Sequence, residues 1–458
     1  MILKILPRIL ILLLVALMAF AYYHFIIVPL SGDDFVALQE VVVPDEKEAQ
    51  QKRPHVIMIM SDDQGFGQVG YNGRVDIHTP NLDTMAAESV VLDRFYAAAP
   101  ICSPTRVSIL TGLHPYRQDC YTVQGCTLDH DAVTLSETLQ GEGYTTAHFG
   151  KWHIGNPSGA NKSWPDQHGF DYSFSSQRPF EMGTETFYEN GVKQTVNITE
   201  DTSVYIVDKG VDYLEAHLKV SDEPLFMMLW LSGPHAPYAA EEQDKAWYAG
   251  LTEDQQNQYG EVTGADRSVG ILREALRDLA VEEDTVLWFN SDNGAGARQV
   301  TIENGELRGG KDQMYEGGIR VPALIEYPAA LSAHTNISNI STLDMMPTIL
   351  DFAGLTVPAG LDGVSHMSSL LTQAQSESDI ALWYEREITS LDSIDDSTGV
   401  YLSYPYKLIK NSGTDFELYN VATDAGEEND VSSSQSNIVN DLTAKLENWQ
   451  RSVLQDSN

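Results

Sequence analysis

Basic residues are scarce in this chain of 458 amino acids. It has 28 lysines and arginines against 66 aspartates and glutamates, which gives a formal net charge of −38. A protein that binds nucleic acid needs clustered cations to neutralise the phosphates, so this balance argues against nucleic acid as a partner. It also disfavours anionic ligands in general, unless the charge at the binding site is locally reversed.

Cysteine is equally rare, because the chain has only Cys102, Cys120 and Cys126. An odd number leaves one thiol unpaired in an exported protein. Cys120 and Cys126 are close enough in sequence to close a small loop, which would leave Cys102 as the odd residue. Two buried free thiols at these positions are an equally good interpretation. None of the three belongs to a His/Cys cluster with the spacing of zinc ligands.

A long apolar run lies at the N-terminus. Lys4 and Arg8 precede it, and it extends over residues 9–30. It is either a signal peptide, with an A-x-A cleavage site at residues 19–21, or an uncleaved anchor of about the 20 residues that a membrane span needs. We favour the anchor, with residues 31–53 as a polar linker. The basic residues ahead of the run direct the rest of the chain outward in both cases, to the periplasm or the cell surface.

Four apolar runs end in polar residues that can do chemistry. They are HVIMIMSDD (55–63), TTAHFGKWH (145–153), LFMMLWLSGPH (225–235) and TVLWFNSDNG (285–294). Near-continuous apolar character predicts strands that are buried on both faces, as in a parallel sheet covered by helices. Ligands bind beyond the carboxyl ends of the strands in such sheets. We therefore expect the functional site at these four ends.

Amphipathic helices separate the predicted strands. Apolar residues recur at helical spacing from Val204 to Leu218 and again from Ala265 to Leu279. A capping box of Thr252 and Gln255 would begin the second helix. Strands that alternate with helices predict an α/β fold.

The pattern changes after about residue 365. Strand candidates at 380–387, 399–410 and 415–421 are followed by a closing helix near 437–454. We therefore predict a catalytic domain over residues 54–370, followed by a small α+β subdomain over residues 371–458.

The polar residues at the strand ends indicate one kind of site when they are taken together. Asp62, Asp63, Asp292 and Asn293 offer only oxygen ligands, which suit Ca²⁺ or Mg²⁺ rather than zinc. Nitrogen-bearing side chains would line the pocket beside that ion: Arg106, Lys151, His153, His235 and Lys311. A hard cation beside several fixed cations describes a pocket for a tetrahedral oxyanion ester.

Cys102 begins an apparent helix, CSPTRVSILTG, at whose start the macrodipole favours an anion. We therefore expect Cys102 to be reactive. Lys311 lies in LRGGKDQMYEGGIRVP (307–322), whose glycines are expected to let the backbone approach a ligand closely and to hold the lysine there.

The segment CSPTR (102–106) fits the C-x-P-x-R signature of the type I sulfatases, and VSILTG fits its extension. Other segments follow in the order typical of that family: MSDDQGFG, HTPNLDTMAAESV, GYTTAHFGKWHIG, GPHAPY, SDNG and RGGKDQMYEGGIRVPALIEYP. The resemblance is strong over residues 54–365 and weaker in the tail. It implies the alkaline-phosphatase-like fold, in which helices sandwich a large, mostly parallel mixed sheet, with a small C-terminal α+β subdomain.

The resemblance implies hydrolysis of sulfate esters, here on a sulfated carbohydrate. In the family a separate maturing enzyme oxidises the signature cysteine to Cα-formylglycine, whose hydrated aldehyde attacks sulfur. Cys102 would then be a precursor of the nucleophile. Asp62, Asp63, Asp292 and Asn293 match the family's ligands for one calcium ion, with residue 102 also on the ion.

The other site residues also match positions of the family. Arg106 and Lys151 match the groups that hold the formylglycine hydrate, and His153 would act as a base toward its second hydroxyl. His235 matches the acid that protonates the leaving oxygen, and Lys311 matches the sulfate-binding lysine. Lys311, His235 and Lys151 are thus the predicted substrate-binding residues.

Two other functions stay open. A phosphate or phosphonate ester hydrolase of the same superfamily is one, although the additional Asp/His ligands of a zinc phosphatase cannot be located. The other is an inactive, membrane-tethered binder of sulfated glycans. Such a binder would be expected to lose Cys102, Lys151 or His235, and all three are present.

The sugar specificity would reside in loops above the sheet. We expect residues 175–191 (SSQRPFEMGTETFYENG) to form an irregular loop that walls a subsite. Aromatic side chains could stack on sugar rings or equally pack inside the protein: Trp164, Phe180, Phe187, Tyr188 and Tyr238.

Overall fold

The structure is a computed structural model. It describes residues 53–158, 162–178, 182–296, 303–385, 394, 398–412 and 415–456. Apart from Arg53, the predicted N-terminal segment and linker lie outside the described residues and stay predictions. Among the helices that the structure describes, none is both long and apolar enough to cross a bilayer.

The described chain forms strands in two larger sheets and one short pair. They are β1 (His55–Ser61), β2 (Val90–Leu92), β3 (Phe95–Tyr96), β4 (Thr145–Lys151), β5 (Tyr172–Ser176), β6 (Gly183–Glu189), β7 (Val192–Ile198), β8 (Leu225–Trp230), β9 (Thr285–Ser291), β10 (Ala323–Glu326), β11 (His334–Asn336), β12 (Ile340–Ser341), β13 (Ile380–Trp383), β14 (Gly399–Ser403), β15 (Tyr406–Ser412) and β16 (Asp415–Asn420).

Helices of very different lengths connect and cover these strands. They are α1 (Pro80–Glu88), α2 (Cys102–Thr111), α3 (Leu135–Gly141), α4 (Thr202–Leu218), α5 (Glu242–Lys245), α6 (Glu253–Asp278), α7 (Glu316–Ile319), α8 (Met345–Phe352), α9 (Met367–Thr372) and α10 (Ser436–Asp456). The predicted capping box of Thr252 and Gln255 is present at the start of α6.

The four predicted strands form the centre of a ten-stranded sheet. Its order is β11-β2-β10-β9-β1-β8-β4-β5-β6-β7, and the neighbours β9, β1, β8 and β4 all run parallel. Alternate residues enter two cores: Val56 and Met58 pack on one face, while Ile57 and Ile59 pack on the other. Helices α2, α3 and α8 cover the first face, and α4 and α6 cover the second. The α/β prediction is confirmed.

The outer strands make the sheet mixed. Strand β10 runs antiparallel to β9, and β6 and β7 form an antiparallel hairpin beside β5. The expectation that residues 175–191 are irregular is therefore wrong over Gly183–Glu189. The missed signal is Asn190-Gly191, in which both residues have positive φ (48° and 78°), as a two-residue hairpin turn requires.

The C-terminal residues form a separate four-stranded antiparallel sheet in the order β13-β14-β15-β16. Pro405 cannot donate a ladder hydrogen bond, and the single predicted strand 399–410 is accordingly two strands that turn at Tyr404-Pro405. Helix α10 packs Leu442 and Leu446 on one face of this sheet. Residues 53–458 cluster as one compact unit, and a domain boundary at residue 370 stays a prediction.

Gly150 allows the end of β4 to lie against β8. Its φ is +93°, and a Cβ would lie 2.0 Å from the Trp230 carbonyl oxygen. Gly150→Ala should therefore lower the free energy of unfolding, measured in urea, by more than the ~1–2 kcal/mol of left-handed strain alone. The matched control is Gly143→Ala, which has φ +87° but open space around the Cβ and should show only that strain. Equal losses in both variants would contradict the close approach.

Candidate active site

The carboxyl ends of the central strands bring the predicted residues together. Asp62 and Asp63 follow β1, while Asp292 and Asn293 follow β9. The Asp62 N–H donates to the carbonyl of Gly233 at 3.1 Å. The Asp63 N–H donates to Asp292 Oδ1 at 3.1 Å. The acidic side chains are thus fixed through the backbone at adjacent strand ends.

Two lysines neutralise the paired aspartates. The Lys151 ammonium donates to Asp62 Oδ2, and both side chains are fully buried. The Lys311 ammonium lies 2.7 Å from Asp63 Oδ1 and 2.9 Å from Oδ2. Burial alone would raise the pKa of both carboxyls, but the nearby cations outweigh burial and hold each pKa below its usual range. The two adjacent carboxylates therefore stay ionised.

Arg106 on α2 joins three parts of the site. Its Nη2 donates to Asp292 Oδ2 at 2.8 Å, and its Nη1 donates to the carbonyl of Lys151 at 2.9 Å. The fully buried guanidinium lies over the Trp230 ring, 4.9 Å from the centroid. It therefore fixes the ends of β4 and β9 relative to the helix that begins at Cys102.

Cys102 lies among these charges. Its Sγ is 3.6 Å from Asp62 Oδ1 and 3.8 Å from Asp63 Oδ1, and the Lys311 ammonium approaches it at 3.3 Å. Cys102 is the free thiol of the chain, because Cys120 and Cys126 form a disulfide.

The expected activation of this thiol by the helix start is not found. Burial raises the pKa of the Cys102 thiol well above its usual range, despite the nearby Lys151 and Lys311. A neutral buried thiol is a poor nucleophile. The residue is therefore better suited to be a precursor than to attack a substrate as cysteine.

The two histidines face the site differently. His235 donates from Nδ1 to the carbonyl of Ala236 at 2.6 Å, so its Nε2 faces Lys311 Nζ at 3.2 Å and Asp63 Oδ2 at 3.5 Å. Burial is the main cause that lowers the pKa of His153 well below its usual range, and the positive charge of Lys151 is the second, so this ring is neutral. Within the described residues, the buried His153 Nδ1 has no hydrogen-bond partner.

The carboxylate and amide oxygens of the site fit a hard divalent cation, although a sulfur and an imidazole nitrogen lie beside them. One ligand atom from each of Asp62, Asp63, Cys102 and His235 lies within 4.8 Å of the others. The buried Asn293 Oδ1 accepts no hydrogen bond from the part of the chain that the structure describes, while its Nδ2 donates to Asp63 Oδ1 at 2.8 Å. An unpaired amide oxygen beside two ionised carboxylates is the oxygen-rich chemistry that calcium prefers.

Asp292 differs from the other predicted ligands. Its Oδ1 accepts from the Asp63 N–H and its Oδ2 accepts from Arg106, so it also orients its neighbours. Sequence reasoning missed one cation, Arg178, whose charge contributes to the lowered pKa of His153. No local signal could have identified it, because its position depends on β5 lying parallel to β4.

The sequence left two roles open for the aromatic side chains, and the structure shows packing for three of them. Trp164 and Phe187 are fully buried and pack in the core, and Tyr188 packs on Trp164 at 5.4 Å between ring centroids. Phe180 lies outside the described residues. Tyr238, which is three residues after His235 in the chain, lines a pocket of about 500 Å³.

The glycines near Lys311 let backbone segments pack closely, while their expected approach to a ligand stays a prediction. A Cβ on Gly294 would lie 1.8 Å from the Gly317 carbonyl oxygen, and one on Gly318 would lie 1.9 Å from that of Gln313. These glycines let backbone segments pack against each other, and Lys311 is held as a consequence of that packing.

Comparison with known proteins identifies the family. A family model described as "Sulfatase" matches residues 54–355, and one described as "N-sulphoglucosamine sulphohydrolase, C-terminal" matches residues 309–452. The N-acetylgalactosamine-6-sulfatase of Sus scrofa is 31% identical over 357 residues, which are 69% of this chain and 66% of that protein. This chain therefore matches slightly less than two thirds of that relative's length.

Two further proteins match over more of this chain. An ulvan-active sulfatase of Formosa agariphila is 27% identical over 387 residues, which are 80% of this chain and 73% of that protein. The solved structure of Ps i-CgsB in complex with k-i-k-neocarrahexaose has a TM-score of 0.79 and 25% identity, and the match covers 89% of this chain and 94% of that one. The predicted alkaline-phosphatase-like fold is confirmed.

Removal of the central guanidinium should destabilise the fold. Arg106→Met leaves Asp292 without its buried countercharge, and we expect the free energy of unfolding in urea to fall by about 3–5 kcal/mol. Arg451→Met is the control, since Arg451 pairs with Glu447 at 3.3 Å on the surface and should change stability by only about 0.5 kcal/mol. A loss at Arg106 no larger than at Arg451 would show that the buried pair contributes little.

Proposed function

Since this chain belongs to the sulfatase family, we propose that it hydrolyses sulfate ester bonds of a sulfated carbohydrate, using a formylglycine made from Cys102 and one bound calcium ion. The observation that carries the proposal is the position of Cys102. A buried thiol that starts a helix lies within 4 Å of two ionised aspartates and of Lys311. That is the arrangement expected of a residue that becomes both a nucleophile and a ligand.

The hydrated aldehyde at residue 102 would supply the nucleophile. A calcium ion would supply part of the positive charge, held by Asp62, Asp63, Asp292, Asn293 and residue 102. Lys311 supplies further charge, because its ammonium lies 3.3 Å from the Cys102 sulfur and can bind a sulfate oxygen. Burial would lower the pKa of Lys311, but the adjacent carboxylates outweigh burial and raise it well above its usual range, so Lys311 stays charged.

Proton transfer falls to the histidines. The bond from His235 Nδ1 to the Ala236 carbonyl orients the ring so that Nε2 faces the pocket beside Lys311. This position is within reach of the leaving alcohol oxygen of a sulfate bound by Lys311, which fits His235 as the general acid. His153 is neutral and therefore fits the role of base. Arg106 and Lys151, which are buried beneath the pocket, would hold residue 102 in position.

A sulfated carbohydrate is the best-supported class of substrate. The named substrates of the matched relatives are sugars or polysaccharides: an N-acetylgalactosamine sulfate and ulvan. The matched structure holds a neocarrahexaose. Arg106, Lys151 and Lys311 offset the three carboxylates of the site in an otherwise acidic chain, so that a bound calcium ion would make the site positive toward an anionic ligand.

Maturation and export complete the proposal. A formylglycine-generating or sulfatase-maturing enzyme would act on residues 102–106, and the matured protein would work in the periplasm or at the cell surface, with residues 9–30 as a possible membrane attachment. The N-terminal basic and apolar pattern supports export. Fractionation of the native host tests this, and recovery in the cytoplasm would contradict it.

Sulfate release tests the activity directly. Protein made with the maturing enzyme should release sulfate from at least one member of a panel of defined sulfated oligosaccharides, and mass spectrometry should find an aldehyde in place of the thiol at residue 102. Cys102→Ala should fold and release none. Turnover of phosphate esters in preference to all sulfate esters would favour the alternative hydrolase, and full activity with an intact thiol would reject the formylglycine.

Calcium removal tests the metal assignment. Excess EDTA should abolish sulfate release, because Asp62 and Asp63 alone do not supply positive charge to the substrate, and added Ca²⁺ should restore it. Asp63→Asn should weaken calcium binding measured by calorimetry, while Asp379→Asn, a matched change in the C-terminal subdomain, should not. Full activity in EDTA would reject calcium as the cofactor.

A further inference from the structure

Lys311 lies on a segment that has little regular structure of its own. Residues 306–316, here called the Lys311 loop, reach helix α7 only at Glu316. On the inner side, the Lys311 N–H donates to the Ala295 carbonyl at 2.9 Å, and the Asp312 N–H donates to the Pro100 carbonyl at 2.8 Å. The loop is therefore attached to the segment after Asn293 and to the segment just before Cys102.

Asp312 needs support from its surroundings. Its φ is +69°, a left-handed conformation that residues other than glycine adopt only when neighbouring groups hold them there. The Tyr384 hydroxyl donates to Asp312 Oδ1 at 2.9 Å. Tyr384 is buried and directly follows β13 of the C-terminal sheet. A residue of the C-terminal sheet thus holds the neighbour of Lys311.

The same sheet holds the loop on both sides of Lys311. On the N-terminal side, Arg308 Nη1 donates to the Tyr419 hydroxyl at 2.9 Å. On the C-terminal side, the Tyr315 hydroxyl donates to Glu417 Oε1 at 3.0 Å. Tyr419 and Glu417 both belong to β16, so one strand contacts both ends of the loop.

A buried group of charges completes this attachment. Lys407 on β15 lies 3.0 Å from Glu316 Oε1 and 2.8 Å from Glu427 Oε1, and all three side chains are fully buried. The Glu316 N–H donates to Glu427 Oε2 at 2.7 Å. Buried ion pairs are often no more stabilising than apolar packing, but they allow few alternative geometries. This group therefore suits the fixing of position.

The two faces of the C-terminal sheet have different neighbours. Val400 and Ile409 face a cluster that includes Met314 of the Lys311 loop. Tyr401, between Val400 and Leu402 on β14, packs toward α10. Only one face of the C-terminal sheet thus contacts the Lys311 loop. Residues on the opposite face can therefore serve as matched controls.

We propose that the C-terminal sheet positions Lys311 for the substrate sulfate group, with Tyr384 as the positioning residue that acts through Asp312 and with Lys407 anchoring the end of the loop. This inference rests on the proposed function, in which Lys311 binds sulfate. The C-terminal subdomain is then part of the sulfate-binding apparatus.

The test is removal of the single Tyr384 hydroxyl. In matured enzyme, Tyr384→Phe should raise KM about tenfold with little change in kcat, because Lys311 binds sulfate alike in the ground and transition states. In the Cys102→Ala background, the affinity for inorganic sulfate measured by calorimetry should fall by the same factor. Hydrogen exchange of the amides over residues 308–316 should become faster.

Tyr401→Phe is the matched control. It removes a hydroxyl that donates to Asp379 Oδ2 at 3.0 Å on the opposite face, and KM, sulfate affinity and exchange in the Lys311 loop should stay as in the wild type. The same rise in KM from both variants would overturn the inference, because it would then reflect general weakening of the sheet. Wild-type values in all three measurements for Tyr384→Phe would overturn it as well.

These outcomes are separable from failure of the proposed function. If the wild type releases sulfate and Tyr384→Phe is unaffected, only the positioning role fails. If the wild type releases no sulfate, the calorimetry and the exchange measurements still decide the positioning role. Lys407→Met should reproduce the loss of sulfate affinity. Lys410→Met, which removes a buried lysine that donates to the Ile394 carbonyl at 2.7 Å, should not.

Discussion

The structure depends on one electrostatic constraint, which is the burial of two adjacent ionised carboxylates at the end of the central strand. An uncompensated buried charge costs several kcal/mol, so Asp62 and Asp63 require cations within contact distance. The fold supplies these from separate elements: Lys151 from β4, which is separated from β1 by β8, Arg106 from α2 and Lys311 from a distant loop. Because each cation comes from a different part of the chain, the whole domain must be assembled before the charges balance. The same balance removes the excess negative charge at this site in a chain of net charge −38.

The centre of the fold was predictable because its physical signal is local. A strand buried on both faces must be apolar at nearly every position, and the four runs at the centre of the sheet satisfy this requirement. The edges were less predictable. Strand β6 alternates polar and apolar residues weakly, and β2, β11 and β12 are only two or three residues long, so their identity depends on pairing with distant partners. The hairpin turn at Asn190-Gly191 was the exception, since its signal was present in the sequence and was overlooked.

Residues of the candidate site also differ in whether a local sequence signal could place them. The residues that follow parallel strands could be placed together from the sequence, because the carboxyl ends of those strands converge. Cys102 and Lys311 were assigned to the site from a helix start and from a glycine-rich segment, and the resemblance to a known signature gave them their roles. No periodicity relates a helix start to a loop more than 200 residues later. The environment of the thiol was less predictable, because a helix start is visible in the sequence whereas the burial that raises the pKa of Cys102 is a property of the folded protein.

The source of the cations explains why the C-terminal sheet contacts the Lys311 loop. Lys151 is the last residue of strand β4 and Arg106 lies in helix α2, so backbone hydrogen bonds of these elements already fix where both side chains begin. Lys311 has neither support, and a lysine loses up to about 2 kcal/mol of side-chain entropy when it is ordered. A loop can hold such a side chain in one place only if other residues fix its backbone. Tyr384, Lys407 and two residues of β16, Glu417 and Tyr419, meet this need from outside the main sheet. Of these three cations, Lys311 has the weakest local support, and its geometry therefore depends on residues of the C-terminal sheet.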